Sequence, residues 1–286
     1  MKIPLLALAF LTSFNLQAQY YYNDIVATHE ANSQMQAYLN SQVKMITATG
    51  YDANNVKATD FAEAKEISEK GRLLKVSTRN SGDYSVYYNR YDEKGRIIST
   101  TDSSYELIRN IITYQYNDTG RITSITTVLK DSVSEFSKTE EHLWKYDAAG
   151  KPEKMWRIIN GADSIEIRFV ADENGNPGEE ITYRWGLEYD RVYYYFDAMG
   201  RVTDIVRYNN KVKKLLPDVI LTYDDKGRII QKITSTPGEN YGKITWVGYI
   251  IWRYIYNDKG LKIKEALFDK DQRLTGKIEY SYTYNP

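Results

Sequence analysis

"YDEKGRI", Tyr91–Ile97, sets an aromatic, an acid, a glycine and a base within seven residues, and it recurs. Copies are "YNDTGR" (Tyr116–Arg121), "YDAAGK" (Tyr146–Lys151), "FDAMGR" (Phe196–Arg201), "YDDKGR" (Tyr223–Arg228) and "YNDKGL" (Tyr256–Leu261). Weaker copies are "ISEKGR" (Ile67–Arg72), "ADENGN" (Ala171–Asn176), "YDANNV" (Tyr51–Val56) and "FDKDQR" (Phe268–Arg273). The glycines fall at positions 71, 95, 120, 150, 175, 200, 227 and 260, 24 to 33 residues apart. A period in that range signals a repeat architecture, and each step holds two strands of about eight residues with a turn at either end.

The heptapeptide reads as hairpin chemistry. A type I turn followed by a left-handed residue favours Asp or Asn at its first position and Gly at its fourth. Asp92 with Gly95, Asn117 with Gly120, Asp147 with Gly150, Asp197 with Gly200, Asp224 with Gly227 and Asn257 with Gly260 fit those places. The acid or amide accepts a backbone N–H two residues on, and glycine takes positive φ without a steric penalty. The acid then faces the base four residues later, and Tyr91 pairs with Ile97, an aromatic against an aliphatic. Each residue of the motif has a structural task.

Second turns are expected at "NSGD" (Asn80–Asp83), "TDSS" (Thr101–Ser104), "NGADS" (Asn160–Ser164) and "TPGEN" (Thr236–Asn240), all rich in turn residues. Heptapeptide turns then fall mostly on one sheet edge, with the short-spaced copy near Gln272 on the other. Alternation is clear in "SIEIRFVAD" and "KIEYSYTY", as half-buried strands require. One segment, Asn23 to Gln42, reads as a helix, with a cap at Asn23 or Asp24 and a place over the first sheet edge. The expected fold is all-β: a single domain over residues 20–286, a long antiparallel meander of about sixteen strands in a twisted, curled repeat sheet. The pattern does not distinguish an open sheet from a closed barrel.

Met1–Gln19 has one base, an apolar run and a small residue near its end, the anatomy of a secretory leader. Export to the periplasm or beyond follows. With no cysteine in the chain, disulfides and thiolate chemistry are excluded. Lys and Arg number 38, as do Asp and Glu, and they are interleaved. Nucleic acid and anionic membrane are disfavoured by that balance, and no other stretch is long and apolar enough for a helical span. The 27 tyrosines against 7 phenylalanines suit half-buried pleated surfaces.

The Tyr-Asp-x-x-Gly-Arg motif at a two-strand spacing resembles the YD repeat of RHS-type proteins, and the leader with "YYYNDIVATHEAN" (Tyr20–Asn32) is similar to secreted uncharacterised repeat proteins of Bacteroidota. The resemblance covers nearly all of the chain after the leader. It implies a β-sheet repeat scaffold. RHS-type proteins commonly curl a long sheet into a shell around a toxic C-terminal domain. This chain ends within a strand pattern at "YSYTYNP", so no cargo domain and no toxin activity are expected.

Candidate chemistry is sparse. The two histidines, His29 and His142, come with no G-x-S-x-G elbow or other nucleophile signature. "DENGN" and "DKD" lack the sixth-position Gly and twelfth-position Glu of a calcium loop, so neither metal nor cofactor is expected. Acids abound without marking the spaced pair a glycosidase needs. Trp144, Trp156, Trp185, Trp246 and Trp252 lie on expected strands, where they are either packing residues or stacking platforms for sugar rings or peptide side chains. The functional expectation is a non-catalytic exported scaffold presenting a protein- or glycan-binding surface. The alternatives are an envelope hydrolase acting on glycans, and an outer-membrane β-barrel.

Overall fold

The structure, a computed structural model, describes residues 20–286 except 105–107, 132, 134, 135, 211, 241 and 242. The leader expected at Met1–Gln19 lies outside the described residues. Helix α1 (Asn23–Asn40) precedes β1 (Val43–Asp52), β2 (Phe61–Ser68), β3 (Leu73–Asn80), β4 (Asp83–Tyr91), β5 (Ile97–Asp102), β6 (Ile108–Tyr116), β7 (Ile122–Asp131), β8 (Ser137–Tyr146) and β9 (Pro152–Ile159). There follow β10 (Asp163–Ala171), β11 (Pro177–Arg184), β12 (Leu187–Phe196), β13 (Val202–Asn209), β14 (Lys214–Tyr223), β15 (Ile229–Asn240), β16 (Lys243–Tyr256), β17 (Lys262–Phe268) and β18 (Leu274–Tyr284). Among the described residues the chain is all-β apart from α1 and a 3-10 turn at Glu69–Gly71.

Each strand pairs with the next, and β1 pairs with both β2 and β18. The hydrogen-bonded order therefore returns to its start through 18 strands. This closed antiparallel β-barrel corrects the expected twisted, curled repeat sheet of about sixteen strands and settles the closure that the sequence pattern left undecided. Closure is favoured because it pairs the backbone groups that first and last strands otherwise expose. It also removes the edge that α1 was expected to cover.

Within the fold the contacts delimit two compact units, one comprising residues up to Thr49 with Ala58–Ile167 and Tyr280–Pro286, the other Gly50–Lys57 with Arg168–Glu279. In the first, Met35 and Tyr38 of α1 are buried, as are Ile46, Leu74, Ile97, Ile112, Ile125 and Met155 of the strands. In the second, Val192, Tyr194, Val202, Ile205 and Leu221 are buried.

The heptapeptide forms the turn its residues specify. Asp92 N–H donates to Arg96 O at 2.9 Å and Gly95 N–H to Asp92 O at 3.0 Å. Asp92 Oδ1 accepts from the Lys94 and Arg96 amides, while Arg96 Nε donates to Asp92 Oδ2 at 2.8 Å. Gly95 has φ 71°, the left-handed region that glycine enters without cost. The same backbone bonds recur at Asn117, Asp147, Asp197, Asp224 and Asn257. Tyr91 opposes Ile97, while Arg90 opposes Ser99, so Ile98 is an extra residue in the ladder. Equivalent shifts follow the turns at Asn117, Asp197 and Asp224. Such bulges raise the local twist.

The copies also clasp one another. Tyr223 Oη donates to Val202 O at 2.8 Å, and Arg201 lies 4.6 Å over the Tyr223 ring. Tyr256 and Arg228 repeat the arrangement with Ile229 O, as do Tyr116 and Arg96 with Ile97 O. The base thus grips its own turn's acid and the next copy's aromatic. Tyr223→Phe removes one such bond and is expected to lower stability by about 1 kcal/mol. Urea denaturation measures it, and an unchanged midpoint in both Y223F and Y256F would show that the hydroxyls contribute nothing net.

Second turns lie at Ser81–Gly82 and Asn160–Gly161, within the expected stretches, but "TPGEN" is strand: Pro237 opposes Val247 and β15 runs on to Asn240. A register shift between Gly238 and Glu239 lies beside the proline, which has no N–H to give to a ladder. The turn around Gln272, with Gln272 N–H donating to Asp269 O at 3.0 Å, joins β17 to β18. That connection is on the edge opposite most heptapeptides, as its short spacing implied, and the weak copy at Tyr51–Val56, between β1 and β2, shares its edge.

Candidate functional site

A buried polar cluster lies where α1 meets β8. The N-cap residue of the helix, Tyr22, makes no side-chain capping bond. Asp24, expected as a cap, reaches the sheet instead: His142 Nδ1–H donates to Asp24 Oδ2 at 2.7 Å and Trp144 Nε1–H to the same oxygen at 3.3 Å. His142 Nε2–H donates to Glu140 Oε1 at 3.2 Å. Arg157, opposite His142 on β9, holds the same carboxylate with two bonds of 2.9 and 2.7 Å. Tyr21 meets the His142 ring edge-on, with centroids 5.5 Å apart.

Burial opposes charge on His142, but the Asp24 carboxylate and the bonds to Asp24 and Glu140 outweigh it, raising its pKa to about 9. Burial likewise opposes charge on Glu140, and the bonds from His142 and Arg157 hold its carboxyl far below the usual range. General acid–base catalysis works best with a group poised near the working pH. Here both groups are locked in their charged forms. With its two carboxylates set against His142 and Arg157, the cluster is an internal pin between helix and sheet.

The five tryptophans are dispersed. Trp144 is buried in the pin, while Trp156, opposite Leu143, sits on the other face of the same unit's sheet and is half-buried. Trp252 is half-buried on β16 between Lys232 and Leu267. Trp246 is on β16. Trp144 and Trp156, on opposite faces, therefore share no stacking face. Packing accounts for Trp144; Trp185 is different. The turn acids and amides Asp92, Asn117, Asp147, Asp197, Asp224 and Asn257, with their glycines, act within the turns.

Trp185 and Gly186 are the two central residues of the β11–β12 hairpin, closed by Arg184 opposite Leu187. Their φ values, 50° and 78°, make a type I′ turn, which calls for Asn-Gly or a similar pair. The comparable hairpins have Ser81–Gly82 (φ 51° and 97°) and Asn160–Gly161 (φ 51° and 69°). Tryptophan in the left-handed region is strained, and Trp185 gains no packing in return, being 96% exposed. Leu187 at 73% and Tyr189 at 64% exposure follow it, and Arg184 stacks 4.1 Å from the Tyr189 ring centroid. The sequence reading placed Trp185 on a strand and missed this hairpin. The signal was available as a tryptophan before glycine, flanked by alternating residues.

Among the described residues, no group of three His, Asp or Glu side chains is placed to hold a metal ion, and no helix is long and apolar enough to cross a membrane. No family model matches the chain. Among curated proteins, Teneurin-3 of Danio rerio is similar, 24% identical over 295 residues that take in 86% of this chain and 10% of Teneurin-3. The chain thus spans a tenth of that relative's length. Similar solved structures include the Photorhabdus luminescens Tc holotoxin pore, with 14% identity, a TM-score of 0.34 and coverage of 78% of this chain and 12% of that one. Another is a porin-like protein from Bacteroides uniformis, with 10% identity, a TM-score of 0.38 and coverage of 85% and 97%.

Proposed function

We propose that the chain is an exported, non-catalytic barrel scaffold that captures a partner through the Arg184–Leu187 hairpin. The observation that carries this is Trp185: a strained, unpacked aromatic where the sister turns have Asn160 and Ser81. Local strain without structural return is a mark of functional positions. Export rests on the leader anatomy of Met1–Gln19.

An envelope hydrolase is less well supported, because the acid and base residues of the buried cluster bind one another. A lipid-spanning barrel is also less well supported. In the first unit the face opposite the helix carries Lys75 bridged to Glu66 at 3.5 Å and Lys154 bridged to Glu166 at 3.2 Å, in mid-strand. A lipid-facing Lys near the bilayer midplane costs about 2–4 kcal/mol.

Trp185→Asn tests the reading because it separates stability from binding. Asn tolerates the left-handed turn, so W185N is expected to match the parent or exceed it by up to about 1 kcal/mol, while capture on glycan arrays, on vesicles or from an envelope extract falls. Thermal denaturation and the binding assays run side by side measure both. Binding that W185N leaves intact would overturn the assignment.

A further inference from the structure

We infer that the partner of this hairpin is an anionic phospholipid bilayer surface, contacted by two neighbouring hairpin tips of the second unit. The inference rests on the hairpin being the binding element and names what it binds.

The second tip joins β13 to β14. Val212, Lys213, Lys214 and Leu215 there are exposed, and Leu215 opposes the exposed Tyr208 across the hairpin. Because β12 pairs with β13, with Val192 opposite Arg207, both tips project from the same sheet edge. Together they offer Trp185, Leu187, Val212 and Leu215 at their ends, with Tyr189 and Tyr208 behind.

Three observations select a bilayer. First, a site for a sugar or other small ligand is concave and surrounds its guest, whereas Trp185 at 96% exposure has no wall beside it. A bilayer interface encloses a protruding side chain from all sides, and tryptophan and tyrosine favour that depth. Second, the local charge is positive although the chain is balanced overall. Glu188 is held by Arg191 at 2.8 Å, and Asp190 by Arg207 at 3.0 Å. Lys213 and Lys214 make no ion pair among the described residues. They suit acidic headgroups, whose attraction falls off within a Debye length. Third, apolar ends with lysines beside them are the arrangement of interfacial segments, which insert the one and leave the other at the headgroups.

The test is flotation of the chain with vesicles of equal parts phosphatidylglycerol and phosphatidylcholine at low salt. Co-flotation is expected, weakened by about tenfold in W185N and in K213Q/K214Q, in about 0.5 M salt and on pure phosphatidylcholine. A melting temperature for each variant at or above the parent's shows that lost binding is not lost folding. No flotation, or flotation that W185N and K213Q/K214Q leave unchanged, would overturn the lipid assignment. If W185N abolishes glycan or protein capture while vesicles are never bound, the hairpin reading stands and the lipid reading falls. If W185N changes no binding of any kind, both fall.

Discussion

Arg157→Met is expected to destabilise the protein by about 3–5 kcal/mol, the usual cost of leaving one member of a buried ion pair alone. Glu140 is 5% exposed and takes both of its close bonds, 2.9 and 2.7 Å, from the Arg157 guanidinium. Without the arginine, its remaining partner is His142 at 3.2 Å, which already serves Asp24. Methionine fills much of the volume, so the loss reports on charge more than on a cavity. The melting temperature should fall by about 10 °C for a chain of this size. In the double variant E140L/R157M no charge is left stranded, and most of the loss should return, since buried pairs contribute little beyond their apolar replacements. If R157M alone melts with the parent, or if the double variant is as unstable as the single, the buried pin is not the device described.

The second large effect is alkaline. With the folded-state pKa of His142 raised to about 9 from an ordinary 6.5, the native state holds a proton that the unfolded chain releases. Stability from this source is complete below about pH 6.5 and is lost as pH rises through about 9, to a total on the order of 3 kcal/mol. Burial lowers the histidine's affinity for the proton, and the Asp24 carboxylate more than restores it. Deprotonation therefore leaves Asp24 and Glu140 each short of a charged donor. Glu140 works in the opposite sense. Its depressed pKa contributes stability above the ordinary carboxylate range that is lost as pH falls well below it. Melting temperature against pH should decline above neutrality in the parent. H142Q should start lower and show a flatter alkaline limb. A parent curve flat from pH 6 to about 10 would refute the assignment of charge to His142.

The heptapeptide turn was legible because the bonds that shape it are local. Asp92, Gly95 and Arg96 are joined by bonds that span at most four residues, and so the turn and the pairing of Tyr91 with Ile97 followed from the motif's residues and their spacing. What stayed hidden is long in sequence. The bond between Asp24 and His142 spans 118 positions, and a histidine within a strand gives no sign of which helix will meet it. Closure needs the register of β1 against β18, which no local pattern contains. Pro237 misled because proline and glycine mark turns far more often than they mark an irregular strand. Trp185 was read only as one of five strand tryptophans, and its position in a left-handed turn was what gave it meaning.

The clasp between copies has an evolutionary consequence. Arg96, Arg201 and Arg228 each touch their own turn's aspartate and the tyrosine one copy on, so these clasps join nearest neighbours. Interactions confined to nearest neighbours let an array gain or lose units without redesign. Duplication or loss of one copy leaves complete clasps on both sides of the junction and changes the strand number by two, an even step that keeps the first and last strands antiparallel. Such a gene can adjust the girth of its product by unequal recombination alone, while the hairpins of the opposite edge diverge freely to suit new partners.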